Sequence, residues 1–181
     1  MSKIYTIGHS THTLKEFVDI LNAYQITHVV DVRSIPKSRH VPWFNEKPLT
    51  ISLRKNKIAY THLTKLGGLR RPIKNSINMG WRNASFRGFA DYMQTKEFFQ
   101  GLKELNLLIK NRDGVVIMCA EAVPWRCHRS LIADAEAVRN ITVLEIISKT
   151  SVHVHKLTNF AVINRNKKPI QIIYPKITPT S

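Results

Sequence analysis

The sequence predicts one α/β domain built on a mainly parallel, twisted sheet with helices on both faces. Three observations carry this prediction. Apolar β-rich runs alternate with amphipathic helical stripes, the pattern of a parallel sheet covered by crossover helices. Val115-Val116-Ile117-Met118 is an uninterrupted apolar run of the kind found in strands buried on both faces. The length of 181 residues suits a single domain that buries its own core. The domain is expected to occupy residues 1–175, with a flexible Pro/Thr tail over 176–181.

Taken in order, Ile4-Tyr5-Thr6-Ile7 reads as the first strand, stopped by Gly8. Leu14, Phe17, Val18 and Leu21 then fall on one helical stripe, and Thr13 with Glu16 forms a capping-box pair at its start. His28–Val32 reads as a second strand. The long segment Arg33–Arg87 has little periodicity, with a helix expected near Leu49–Arg54 and a strand near Ile58–His62. Phe98, Phe99, Leu102, Leu105, Leu108 and Ile109 give a further helix that ends at Asn111-Arg112-Asp113-Gly114. After the Val115–Met118 strand come a helix from about His128 to Arg139 and a strand at Thr142–Ile147. Ile170–Tyr174 is expected as an edge strand. There are no internal repeats.

Composition narrows the function classes. No apolar stretch approaches the roughly 20 residues of a membrane span, and the N-terminus MSKIYTIGHS lacks the pattern of a signal peptide. Two cysteines cannot make a disulfide framework, so a reducing, cytoplasmic setting is expected. Charge is the departure from average: 28 Lys and Arg against 12 Asp and Glu give +16, which points to a polyanionic partner.

Ligands of open parallel sheets bind at the carboxyl ends of the strands. Here those ends carry Gly8-His9-Ser10-Thr11, Asp31-Val32-Arg33, His62 followed by Leu66-Gly67-Gly68-Leu69-Arg70-Arg71-Pro72, and Cys119 to Ser130. The last segment passes from strand through loop to helix start, where backbone N–H groups and a helix dipole favour an anion. Arg126 and Arg129 add positive charge. A cysteine in such a field has a lowered pKa and becomes a nucleophile. Cys119 or Cys127 would attack, with Glu121 or His128 moving protons. The other reading of each cysteine is a small buried hydrophobe, and exposure decides between them. His9, Ser10, Asp31, Arg33, Arg70, Arg71, Arg126, Arg129 and Ser130 are the candidates for binding an anionic ligand. Asp31 and Arg33 leave the same strand face and so also read as a structural ion pair.

Two sharper cysteine chemistries do not fit the spacing. Phosphatase and sulfurtransferase loops place an arginine a few residues after one cysteine, whereas Arg126 follows Cys119 by seven. Zinc sites use C-x₂₋₄-C spacing and about four ligands, so neither a metal nor a cofactor is expected.

Between Arg33 and Arg87 stand thirteen Lys and Arg against one acidic residue, Glu46. Trp43, Phe44, Tyr60, Trp81 and Phe86 are interleaved with them. Cations with exposed aromatics make a surface for single-stranded or looped nucleic acid; buried, the same aromatics would form a satellite core. A nucleic acid or a phosphorylated small molecule is the expected partner, and a membrane is not.

The strings IGHSTHTLKEF, VVDVRSIPKSRH, LGGLRRP, GWRNASFRGFADYMQT, MCAEAVPWRCHRSLIAD and HKLTNFA closely resemble the domain-of-unknown-function family 488, from about Lys3 to Tyr174. The resemblance implies a small cytosolic prokaryotic α/β protein marked by two cysteines, here Cys119 and Cys127, and no established reaction. Asn159 stands where a proline is common. Two functions remain open at this stage. One is an enzyme with a cysteine nucleophile acting on a nucleotide or nucleic acid. The other is a non-catalytic, basic nucleic-acid-binding module whose cysteines are structural.

Overall fold

The chain runs β1 (Lys3–Gly8), α1 (Leu14–Ala23), β2 (His28–Asp31), α2 (Glu46–Lys55), β3 (Ala59–His62), α3 (Ala84–Tyr92), α4 (Lys96–Asn111), β4 (Val115–Cys119), α5 (Arg129–Ala137), β5 (Thr142–Ser148), β6 (Ser151–Val154), β7 (Val162–Asn164) and β8 (Gln171–Ile173). This computed structural model describes residues 2–177. A six-stranded sheet has the order β3-β2-β4-β1-β5-β6, and only β6 is antiparallel to its neighbour. The molecule is a single α/β domain with helices on both sheet faces.

Each face has its own core. On one, Phe17, Val18, Ile20 and Leu21 of α1 and Leu49 and Leu53 of α2 cover Tyr5, Ile7, Val29, Val116 and Met118. On the other, α3, α4 and α5 bring Phe89, Phe98, Leu102, Leu105, Leu131 and Ile132 onto Ile4, Val30, Ile117 and Cys119. The alternation of successive strand residues between faces makes these two sets possible. The Thr13–Glu16 capping box starts α1.

The edge-strand expectation for Ile170–Tyr174 is corrected. Gln171–Ile173 pairs with Val162–Asn164 in a separate two-stranded ribbon. That ribbon is fastened over α5 by Arg139 Nη2 donating to Ile170 O at 3.0 Å and Tyr174 Oη donating to Asp134 Oδ2 at 2.8 Å. α3 is a helix that the poor periodicity of Arg33–Arg87 conceals. Asn83 Oδ1 caps it by accepting from Ser85 and Phe86 N–H, and Phe86, Phe89, Ala90 and Met93 form its inner stripe. Gly88 hides the pattern, and a Cβ there would run into the Arg70 carbonyl. Of the expected tail, residues 178–181 lie outside the described residues.

One consequence of the strand order positions the site. β1 and β4 are adjacent, yet the chain leaves β1 towards β2 and leaves β4 towards β5. Helix α1 covers one face and α5 the other, so the two connections part and leave a crevice beyond the carboxyl ends of β1 and β4. No described helix is long and apolar enough to cross a membrane.

Candidate functional site

A cavity of about 420 Å³ opens at that crevice. His9 from the end of β1, Arg33 from the end of β2, Cys119 from β4, and Glu121, Arg126, Cys127 and His128 from the loop after β4 all line it. Ser34, Lys37, Gly68 and Ser85 complete the polar wall, and exposed Ile35 and Leu69 stand at the mouth. The loop after β4 folds back against β1. His9 and Ser10 N–H donate to the Cys119 and Ala120 carbonyls at 2.9 Å, continuing the ladder past the strand ends. Gly8 is what permits the approach, because a Cβ there would fall on the Glu121 carbonyl.

The floor of the cavity is a thiol pair. Cys119 and Cys127 Sγ lie 2.6 Å apart, both buried and both unbridged. Arg129, entirely buried, donates Nη1 to Cys119 Sγ at 2.7 Å and also to the Glu121 carbonyl, while Nη2 reaches Ala122 O at 3.0 Å. Burial would raise the Cys119 thiol. The Cys127 hydrogen bond and the Arg129 charge outweigh burial and bring it down to about 7. The Cys127 thiol moves upward, because donating to the Cys119 sulfur holds its proton and burial adds to the effect. Of the pair, Cys119 is the thiol that gives up its proton more readily and Cys127 the one that keeps it.

His128 Nε2 sits 3.0 Å from both the Val32 and Leu66 carbonyls, so it carries the proton and donates to them. Nδ1 is left with a lone pair 3.6 Å from Cys127 Sγ. Burial holds this ring neutral, its pKa lowered to about 4. The paired glycines of LGGLRRP have a steric cause. A Cβ on Gly68 would strike the His128 ring, and one on Gly67 would strike Ser34.

Asp31 is fully buried behind the cavity and serves Arg33. Its carboxylate accepts from Arg33 Nε at 2.9 Å and Nη2 at 2.6 Å, and from Tyr60 Oη at 2.7 Å. Phe44 O takes a further bond from Arg33 Nη2 at 2.8 Å. Nη1 is thereby aimed at the cavity, 3.3 Å from His9 Nε2. His9 stacks on Phe44, gives its Nδ1 proton to Ser10 O, and is held neutral by burial, its pKa lowered to about 4.

Other residues in the anion-binding set are placed elsewhere. Arg129 is turned inward onto the Cys119 sulfur and loop carbonyls, away from any ligand in the cavity. Arg70 lies over the Tyr92 ring at 3.6 Å and caps the Gly67 and Thr64 carbonyls. Arg71 is exposed on the surface and Ser10 is beside, not in, the lining. Ser130 donates to Cys127 O at 2.9 Å and faces a second cavity. The aromatics of the basic segment are largely packed: Phe44 is buried, Trp43 donates to His12 O, and Trp81 packs against Phe86 and Phe160, although Phe86 also lines the thiol cavity and Trp81 the second one. Lys37, within the lining, is a contributor the strand-end reading omits; it lies on the loop after β2, four residues past Arg33. Among the described residues no three His, Cys, Asp or Glu side chains are arranged to hold a metal ion.

Comparison with curated proteins and with solved structures finds no match. The profile of one family, described as "Domain of unknown function DUF488", matches residues 13–136. That span is shorter than the Lys3–Tyr174 extent of the resemblance, but it takes in β2, β3, β4 and the whole Cys119–Ser130 loop. With about two thirds of its length so matched, the chain belongs to the DUF488 family.

Proposed function

We propose that this protein is a cytoplasmic enzyme acting on a nucleic acid or nucleotide, with Cys119 as its nucleophile. One observation carries the reading: a buried arginine donates directly to the sulfur of a cysteine that lines a cavity. A guanidinium 2.7 Å from sulfur stabilises the thiolate, and a structural cysteine needs no such counter-ion. Arg33, Lys37 and Arg126 give the cavity its positive charge and fit it for a phosphate group. Its volume lies in the range that holds a small ligand.

In this mechanism the Cys119 thiolate forms a bond to the electrophilic atom as the leaving group departs with its electron pair. Cys127 carries the proton nearest the reacting sulfur and can pass it to the leaving group. Glu121 stands at the exposed rim, where it exchanges protons with water. His128 takes no proton; its Nε2 is locked on the Val32 and Leu66 carbonyls, and its Nδ1 lies 3.6 Å from the Cys127 sulfur. Two unbridged thiols suit a reducing compartment.

The test is iodoacetamide labelling resolved by mass spectrometry, with and without dTMP. Cys119 is expected to label faster than a free thiol at pH 7, to gain reactivity through about pH 7, and to be protected by dTMP. Slow labelling of both cysteines, or labelling indifferent to dTMP, would replace this reading with that of a basic nucleic-acid-binding module holding two structural cysteines.

A further inference from the structure

The single turn of 3-10 helix Pro124–Arg126 is a wall with a cavity on each side. Arg126 lines the thiol cavity. Trp125, the preceding residue, lines a second cavity of about 530 Å³ with Trp81, Glu145, His153, Val154, Lys156 and Asn159. Trp125 is 70% exposed, and it is the only exposed aromatic among the described residues. An indole left in water forgoes a large burial gain, whereas every other tryptophan and phenylalanine here is at least half packed. The site loop thus holds out a flat aromatic face between two cations, Arg126 and Lys156, both exposed.

The two cavities differ in chemistry. The first is lined by the thiol pair and by Arg33, Lys37 and Arg126. The second offers indole surface, the Val154 side chain and the hydrogen-bonding groups of His153 and Asn159. Its one carboxylate, Glu145, is already engaged by His155 Nδ1 at 2.7 Å. Cationic groups for a backbone beside an aromatic platform for a base are the two elements of single-strand recognition.

We infer that the second cavity is a nucleobase subsite with Trp125 as its stacking platform. The ligand is then a single-stranded nucleic-acid segment that crosses the Pro124–Arg126 wall, not a lone mononucleotide. This rests on the reading of the first cavity as a phosphate-binding site and extends it to the neighbouring nucleotide. The Arg33–Arg87 segment remains the source of long-range attraction and contributes Trp81 to the wall of this cavity, while the exposed stacking face stands on the loop that carries the cysteines.

The experiment uses the full chain and fluorescence anisotropy of fluorescein-labelled dT16 and rU16 at low salt. Protection of Cys119 from iodoacetamide by dTMP reports the first cavity separately. Trp125→Ala is expected to weaken oligonucleotide binding about 5- to 100-fold, in line with the loss of one stacked base, and Trp125→Phe to restore most of it. The ratio of dT16 to rU16 affinity tells DNA from RNA. Unchanged oligonucleotide affinity in Trp125→Ala would overturn the inference while leaving the first cavity's reading intact. The same holds if dTMP protects Cys119 but neither oligonucleotide binds. Failure of both dTMP protection and oligonucleotide binding would overturn the underlying reading as well.

Discussion

Arg129 Nη1 lies 2.7 Å from Cys119 Sγ although the arginine has no exposed surface at all. A buried cation needs partners, and this one finds them in the sulfur and in the Glu121 and Ala122 carbonyls. It follows that Arg129→Met removes both the thiolate's counter-ion and the tie that closes the loop. The alkylation midpoint of Cys119 is expected to rise from about 7 towards or above that of a free thiol. Stability is expected to fall by roughly 2–4 kcal/mol, because two loop carbonyls lose their charged donor and the loop loses its tie. pH-dependent alkylation and urea unfolding measure the two effects.

Cys127→Ala should also raise the Cys119 midpoint, because it removes the hydrogen bond that Cys127 gives the Cys119 sulfur. The same variant tests the closeness of the sulfurs. Mild oxidation with diamide should remove both free thiols of the native protein together, and dithiothreitol should return them. In Cys127→Ala, Cys119 should stay free of an intramolecular bridge. A thiol count by mass spectrometry decides this.

The Asp31–Arg33 pair is buried, with Tyr60 partly covering it, so breaking it from one side should cost more than an exposed ion pair would. Asp31→Asn is expected to destabilise the protein by about 3–5 kcal/mol, the penalty for an uncompensated buried charge. Tyr60→Phe should cost less, about 1.5–3 kcal/mol, one hydrogen bond to a charged carboxylate. If chemical denaturation found the two equal, Asp31 would not be the anchor of Arg33.

Stability against pH should have opposing flanks set by different histidines. His155, almost wholly buried, lies between Asp134 and Glu145 at 2.8 and 2.7 Å. Burial opposes its charge, but the two carboxylate bonds prevail and raise it to about 9. Its folded value exceeds the unfolded value near 6.5, so its contribution is complete below about 6.5 and is lost as pH rises through about 9. His9 and His128 are lowered to about 4, chiefly by burial. They are neutral in the fold, so stability falls as pH drops below 6.5 and continues to fall through about 4. Cys119, lowered to about 7, works against the alkaline loss, and buried Glu136, raised to about 7, works against the acid one. The test is therefore a difference: the advantage in urea midpoint of the native protein over His155→Gln should be full below about pH 6.5 and vanish as pH rises through about 9.

Gly8→Ala is the conformational counterpart. The added methyl would land on the Glu121 carbonyl, a backbone atom that cannot swing aside. The loop must then lift from β1, with an expected cost of about 1–3 kcal/mol for overpacking and a slower alkylation of Cys119. Gly101→Ala, which meets mostly the flexible Leu66 and Lys65 side chains, should be milder.

Much of the sheet and of its rim was legible because period and position suffice for both. Strand ends name their residues regardless of side-chain rotation, so His9, Arg33, Cys119, Glu121, Cys127 and His128 could be gathered from the chain alone. Orientation could not. Arg126 and Arg129 are three residues apart and chemically alike, yet one faces the cavity and the other the interior; the turn at Cys127–His128 sets that phase. Arg70 shows the same limit, since only the placement of α3 brings the Tyr92 ring beneath it. The basic segment left its aromatics open between stacking surface and satellite core, because cation–aromatic interleaving is identical whether the rings face water or Phe160. Helix α3 was obscured by a glycine whose purpose is tertiary, letting the Arg70 backbone cross.

The guanidinium beside the Cys119 sulfur is also the latch of the loop that follows it, through the Glu121 and Ala122 carbonyls. On the proposed reading, activation of the thiol and closure of the loop are therefore lost together: a molecule whose latch has slipped gives up its counter-ion at the same instant.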